Sequence, residues 1–185
     1  MTNIHYCTDS LVDGVDANMN AKRKMASALA DVKNDGEVTF SYLATGRNTV
    51  DMAKEQTSKK LHHKPFIIPF VNKTYPPSAW NILYRFFVVH RLLGLRYFLS
   101  FLFRRSHCVF FIRGKICMWA IALAGLFRKQ YYVLEEHNYL FGKSRYKDYF
   151  YRRIFNQALF LVTITNYAKR NWINNGIDES AVCVM

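Results

Sequence analysis

The sequence predicts an α/β domain, a Rossmann-like parallel sheet with helices on both faces. Three observations predict it. Short β-branched and aromatic runs alternate with helical patterns along the whole chain, the order that successive βαβ units require. Several of those runs end in polar or titratable residues, as strands do where an open α/β sheet binds its ligands. Finally, 185 residues with 51% hydrophobic content, 12 Tyr and 15 Phe suffice for a single core and differ from the composition of a disordered chain.

Residues 3–7 read as the first strand, followed by a polar loop over 8–14. From 17 to 32, Met19, Met25, Ala28, Leu29 and Val32 recur at three-and-four spacing, which predicts a helix. Asn34-Asp35-Gly36 stops it, with Gly36 as a left-handed cap. Residues 38–43 alternate and form a second strand. The stretch 46–64 is polar and charged and reads as a loop with room for a short helix. Residues 66–71 make a third strand, which Pro69 marks as an edge or a strand end.

Pro76-Pro77-Ser78 opens a long helical segment reaching Arg105, with Gly94 as a candidate bend. Residues 108–112 are a fully apolar fourth strand with Arg113-Gly114 at its tip. The helix expected over 115–129 is apolar on most sides and therefore buried. The stretch 131–138, apolar at first and ending in Glu135-Glu136-His137-Asn138, forms a fifth strand, and 143–156 a basic, aromatic helix. A sixth strand spans 159–165. A short helix over 168–175 is capped by Gly176, and 181–184 begin a seventh strand.

The formal charge is +13, from 26 Lys and Arg against 13 Asp and Glu. Such a surface attracts nucleic acid, anionic headgroups or phosphorylated ligands, and its sign does not choose among them. Cys7, Cys108, Cys117 and Cys183 lie apart, each in an apolar run, with no C-x-x-C pair. They read as small buried hydrophobes in a reducing compartment and not as a zinc site or disulfide frame. The fingerprint G-x-G-x-x-G is absent, so a bound dinucleotide has little support. No signal-peptide pattern opens the chain, and no apolar run approaches the roughly 18–20 residues of a spanning helix. A cytoplasmic location is expected, peripheral to the inner membrane face.

Four strand and helix ends carry a family resemblance. Phe111-Ile112-Arg113-Gly114, Val133-Leu134-Glu135-Glu136-His137, Leu161-Val162-Thr163-Ile164-Thr165-Asn166 and Asn174-Asn175-Gly176-Ile177 follow in that order. Together they resemble the N-terminal domain of the GT-B glycosyltransferases, specifically the large retaining family 4. The likeness covers the second half of the chain well and the first half in outline. It implies that residues 1–185 are the acceptor-side Rossmann-like domain and that a C-terminal donor-binding domain lies outside them. It also implies transfer from a nucleotide sugar, as co-substrate and without a further cofactor, to a glycan or lipid-linked acceptor in envelope polysaccharide synthesis. The first loop departs from the pattern. A Gly-Gly pair is usual there, and only Gly14 stands between Asp13 and Val15.

His137 is the leading candidate for chemistry. A neutral imidazole accepts a hydroxyl proton or hydrogen-bonds a sugar hydroxyl near neutral pH, and the resemblance puts it beside the acceptor. Glu135 and Glu136 alternate along a strand and so face opposite sides. Alternation sets Glu135 on the His137 side, and the choice between the two carboxylates stays open. Arg113 suits a carboxylate or phosphate through its planar fork, or else an ion pair with Glu135 or Glu136 on a neighbouring strand. Thr165 and Asn166 either line the same crevice or cap a helix, and Asp13 and Gly14 are candidates in the first loop. With no H-x-x-x-H or second cluster, a metal is not expected.

Residues 80–105 set Arg85, Arg91, Arg96, Arg104 and Arg105 among Phe, Leu and Val, as in a helix lying on an anionic membrane. Lys143, Arg145, Lys147, Arg152 and Arg153 form a second basic patch. A different class of function fits the same features, a non-catalytic membrane-associated domain that recruits a separately encoded partner. Single-stranded nucleic acid is a weaker candidate.

Overall fold

A computed structural model of the chain describes residues 3–12, 17–32, 37–44, 47–68, 83–84, 89–104, 108–137, 141 and 144–185, without the side chains of 10–12 and 17–19. In chain order the elements are β1 (Asn3–Val12), α1 (Ala17–Val32), β2 (Val38–Ala44), α2 (Arg47–Glu55), β3 (Leu61–Ile67), α3 (His90–Leu102) and β4 (Cys108–Arg113). They continue with α4 (Lys115–Ala124), β5 (Tyr132–Glu135), α5 (Arg145–Gln157), β6 (Phe160–Thr163), α6 (Asn166–Asn174) and β7 (Val182–Val184).

All pairings are parallel, in the order β3-β2-β1-β4-β5-β6-β7. The chain steps outward from β1 to β3, returns beside β1 as β4, and steps outward again to β7. The order therefore reverses between β1 and β4, the place where such sheets bind ligands. Register sorts the side chains into rows. Tyr6, Phe111, Val133 and Phe160 share one row, and Thr8, Arg113, Glu135 and Val162 share the next row with the same orientation.

The core lies on both sides of the sheet. On one side Tyr6, Phe40 and Tyr42 meet Ala26 and Ala30 of α1 and Val50 and Ala53 of α2. On the other, Ile112, Leu134 and Leu161 meet α3, α4, α5 and α6 through Leu93, Ile121, Phe155 and Trp172. Covering both faces is what a parallel sheet demands, because its strands are apolar on both.

Several boundaries differ from the sequence reading. β1 continues through Val12 where a loop was expected from Thr8, because Thr8 pairs with Arg113 in β4 and is fully buried. Opposite β2 its register shifts between Cys7 and Leu11. The stretch 46–64 contains α2, whose Thr49, Val50 and Ala53 are buried, and the start of β3. That strand begins at Leu61 and not at residue 66, and the proline inside it is Pro65, opposite Tyr42. β3 is the sheet's edge, the place to which a strand proline is confined; Pro69 lies outside the described residues, as does Gly36.

Of the long segment 76–105, the described helix is α3, and it runs unbroken through Gly94. An added Cβ at Gly94 would touch Ile116 of α4, so the glycine belongs to the contact between these helices rather than to a bend. The helix expected over 115–129 stops at Ala124, with Gly125 as its cap. It is also not buried all round. Cys117, Met118 and Ile121 face the core, while Trp119 and Leu123 are exposed on the outer side of the layer. Cys7 and Cys117 are buried as expected, but Cys183 is exposed on the edge strand β7.

Candidate functional site

β4 and β5 lie side by side, and their register sets Arg113 opposite Glu135 at the carboxyl ends of the strands. The Arg113 Nη1 donates across 2.9 Å to Glu135 Oε1. His137, two residues past Glu135, brings its Nε2 to 3.0 Å from the same oxygen. The other carboxylate oxygen accepts a hydrogen bond of 3.2 Å from the Tyr6 hydroxyl of β1. Glu135 is thus held from β1, from β4 and from the second residue past its own strand. It is 3% exposed, and a carboxylate so far from water requires such partners.

Tyr6 is a dependable donor. Burial, and then the nearby Glu135 carboxylate, push its hydroxyl pKa well above the usual value, so it stays protonated. Because a carboxylate only accepts, its contact with His137 Nε2 places the imidazole proton on that nitrogen. Nδ1 is then the acceptor of the neutral ring. It is shielded from solvent and has no hydrogen-bond partner among the described residues, although the side chain as a whole is 23% exposed. The backbone N–H of His137 donates to Glu136 Oε1 at 2.9 Å. Glu135 therefore orients the ring, whereas Glu136 orients the backbone that carries it. This division follows the alternation expected along the strand.

A third support comes from the end of β1. Asp9 Oδ2 accepts from the backbone N–H of Ile116 at 3.0 Å and so satisfies an otherwise partnerless donor at the start of α4. The chain enters that helix through Gly114 at φ +127°, and a Cβ there would overlap the Asp9 carboxylate. Only glycine fits on both counts.

An open cleft of about 570 Å³ spans these strand ends. Arg113, Glu135, Glu136 and His137 line its sheet side, and Asp9, Gly114 and Lys115 the side toward α4. Lys22 of α1, itself 4% exposed, and His90 at the start of α3 complete the lining. Paired acids and bases around a polar cleft suit a ligand with many hydroxyl groups, which both donate and accept. Among the described residues, no group of three or more His, Cys, Asp or Glu is arranged to hold a metal.

Other candidates lie elsewhere. Thr165 caps α6, its Oγ1 accepting from Ala168 N at 3.1 Å, and neither it nor Asn166 is among the cleft-lining residues. Asp13, Gly14, Arg85 and Arg105 lie outside the described residues. Arg91 is exposed at the start of α3. Arg96 turns onto β3, donating to the Pro65 carbonyl at 3.3 Å and lying over the Phe66 ring. Arg104 reaches His5 Nδ1 and lies over Phe110.

Sequence reasoning missed Tyr6, Asp9, Lys22 and His90. Lys22 had a readable signal: with Ala26 and Ala30 it falls on one buried stripe of α1, an unusual place for a lysine.

No family model and no curated protein matches the chain. Solved structures do. Anabaena Alr3699/HepE in complex with UDP and glucose matches with a TM-score of 0.58 and 12% identity, over 100% of this chain and 44% of that one. A UDP-N-acetylglucosamine 2-epimerase matches with a TM-score of 0.59 and 11% identity, over 99% of this chain and 47% of that one. A glycosyltransferase from Rickettsia africae matches with a TM-score of 0.54 and 14% identity, over 99% and 42% respectively. The fold is that of one Rossmann-like half of a GT-B protein, and the chain spans less than half the length of these structures.

Proposed function

We propose that this chain is the acceptor-side half of a retaining, family 4-like GT-B glycosyltransferase, acting on a glycan or lipid-linked sugar. The donor, a nucleotide sugar, would be held mainly by a second half outside these residues. The observation that carries the reading is the Arg113–Glu135–His137 chain, which sits at the ends of β4 and β5 and opens on the cleft. That HepE was solved with UDP and glucose is consistent with such a donor.

In this reading His137 meets the acceptor hydroxyl. With its proton held on Nε2 by Glu135, the ring keeps Nδ1 as the hydrogen-bond acceptor or base for that hydroxyl. An imidazolium formed there would be stabilised by the same carboxylate, as in other carboxylate–imidazole pairs. Arg113 holds Glu135 in place through its ion pair and takes no part in proton transfer. Lys22 and Lys115 face the anionic parts of donor or acceptor.

The test is transfer from nucleotide sugars to isolated glycan and lipid-linked acceptors. The chain alone should turn over nothing, and addition of a donor-binding domain should yield product. His137→Ala in that combined enzyme should lower kcat by about 10²–10⁴ with little change in donor affinity. Full turnover by the chain alone, or an unaffected His137→Ala enzyme, would refute the assignment.

A further inference from the structure

α3 and α4 pack side by side over the larger part of the core. Their inner faces are buried through Leu93, Tyr97 and Phe101 and through Cys117, Ile121 and Ala124. The outer face is apolar as well. Leu92, Leu95 and Leu99 recur at three-and-four spacing along α3 and are 51%, 53% and 41% exposed. Phe103 follows just past the helix at 77%, and Leu126 and Phe127 beyond α4 reach 57% and 72%. The Phe98 and Phe127 rings meet edge to face at 6.0 Å, which joins the two rows into one ridge. A contiguous apolar surface of this kind marks a site of interaction.

Charge selects the partner. From Glu55 to Glu135 the sequence contains no intervening Asp or Glu and thirteen Lys and Arg. Arg91, Lys115, Arg128 and Lys129 are exposed on the two helices and their ends. Arg96, itself exposed, reaches back to the Pro65 carbonyl of β3, and the half-buried Arg104 reaches His5 of the sheet. The helix thus presents its leucines outward, with Arg96 exposed as well and Arg104 half-buried against the sheet. No described helix is long and apolar enough to cross a membrane. Exposed Leu and Phe flanked by cations, with no acid near in sequence, match a helix lying in the headgroup region of an anionic bilayer.

We propose that the α3–α4 ridge docks on an anionic lipid surface. Its leucines and phenylalanines enter the boundary between headgroups and acyl chains, and Arg91, Lys115, Arg128 and Lys129 meet lipid phosphates. His90 and Lys115, which begin the two helices, also line the cleft, so docking sets the cleft beside the lipid. That the acceptor is therefore itself lipid-linked rests on the glycosyltransferase reading; the docking does not.

Flotation of the chain with vesicles of phosphatidylcholine, alone or mixed with phosphatidylglycerol, tests this without any sugar. Binding is expected to the mixed vesicles and to weaken with added salt. The variant L95S/L99S/F127S should lose about tenfold or more of that binding, with an unchanged far-ultraviolet spectrum. Arg128→Glu with Lys129→Glu should abolish the preference for phosphatidylglycerol, whereas Met52→Ser, an exposed apolar position on α2, and His137→Ala should bind as the parent does. Failure of the parent to float, or equal flotation of the triple variant, would overturn the proposal. So would sedimentation showing a dimer that the triple variant dissolves, since the ridge would then meet a second copy. A His137→Ala enzyme inactive in solution but normal on vesicles would leave the two proposals independent.

Discussion

Glu135 shows how one side chain can unite parts of the chain far apart in sequence. Its carboxylate binds Tyr6, 129 positions earlier, as well as Arg113 and His137. Removing the guanidinium would leave a buried negative charge held, among the described residues, by a phenol and an imidazole. Arg113→Ala is expected to cost about 3 kcal/mol, in line with other buried pairs broken on one side, as read from urea unfolding at neutral pH. Arg113→Ala combined with Glu135→Gln should recover part of that loss, because no full charge then remains buried.

A second titratable residue works by a different route. His63 of β3 accepts from or donates to Tyr42 at Nδ1 and Thr57 at Nε2, at 3.1 and 2.9 Å. The Thr57 hydroxyl donates to the Ala53 carbonyl, so Nε2 carries the proton toward Thr57, and Nδ1 accepts from Tyr42. The Tyr42 hydroxyl is pushed up to about 12, chiefly by burial, and remains a donor. Burial first, then Lys54 and His62, lowers the His63 pKa below its ordinary 6.5. Below 6.5 the unfolded chain takes up this proton before the folded one does. Stability therefore falls as pH drops from 6.5 through the folded value. Thermal melts at pH 7 and pH 5.5 should show a larger loss for the parent than for His63→Gln.

Among elements, the passage from β4 into α4 is the most constrained. Gly114 combines a positive φ with close approach to Asp9, which itself caps α4. Gly114→Ala must change the backbone or displace the cap, at an expected cost of about 3 kcal/mol or more, measurable by denaturant unfolding. β3 teaches a contrary lesson about legibility. Leu61-His62-His63-Lys64-Pro65 has neither apolar alternation nor β propensity, yet its pairing with β2 and the Tyr42–His63 contact hold it in the sheet. Strands β4 to β6 could be read because their apolar runs are bounded by polar residues. β3 could not, since what makes it a strand lies in its neighbour.

At the scale of the molecule, alternation along the chain was enough to predict a parallel sheet with helices on both faces, and the polar strand tips indicated which end to inspect. Which tips meet was not legible. Arg113 and Glu135 come together because β4 and β5 are adjacent and in register, while Thr165, at an equally polar tip, caps a helix and is not among the residues lining the cleft. The five arginines of 80–105 suggested a charged contact face. The directions of Arg96 and Arg104 depend on Pro65, Phe66, His5 and Phe110 lying within reach, and periodicity carries no such information.

Because every strand points the same way, the two rims of the sheet are unequal. The cleft occupies the rim where strands finish, and among the described residues the opposite rim carries returns such as Lys129-Gln130 and Ala158-Leu159, which run from helices into β5 and β6 and border a second cavity of about 530 Å³. That asymmetry gives a protein engineer a back door. An affinity tag, a fluorophore or a short inserted peptide can be attached at the return before β6, where it stands a full strand's length from Glu135 and His137 and leaves the working rim untouched.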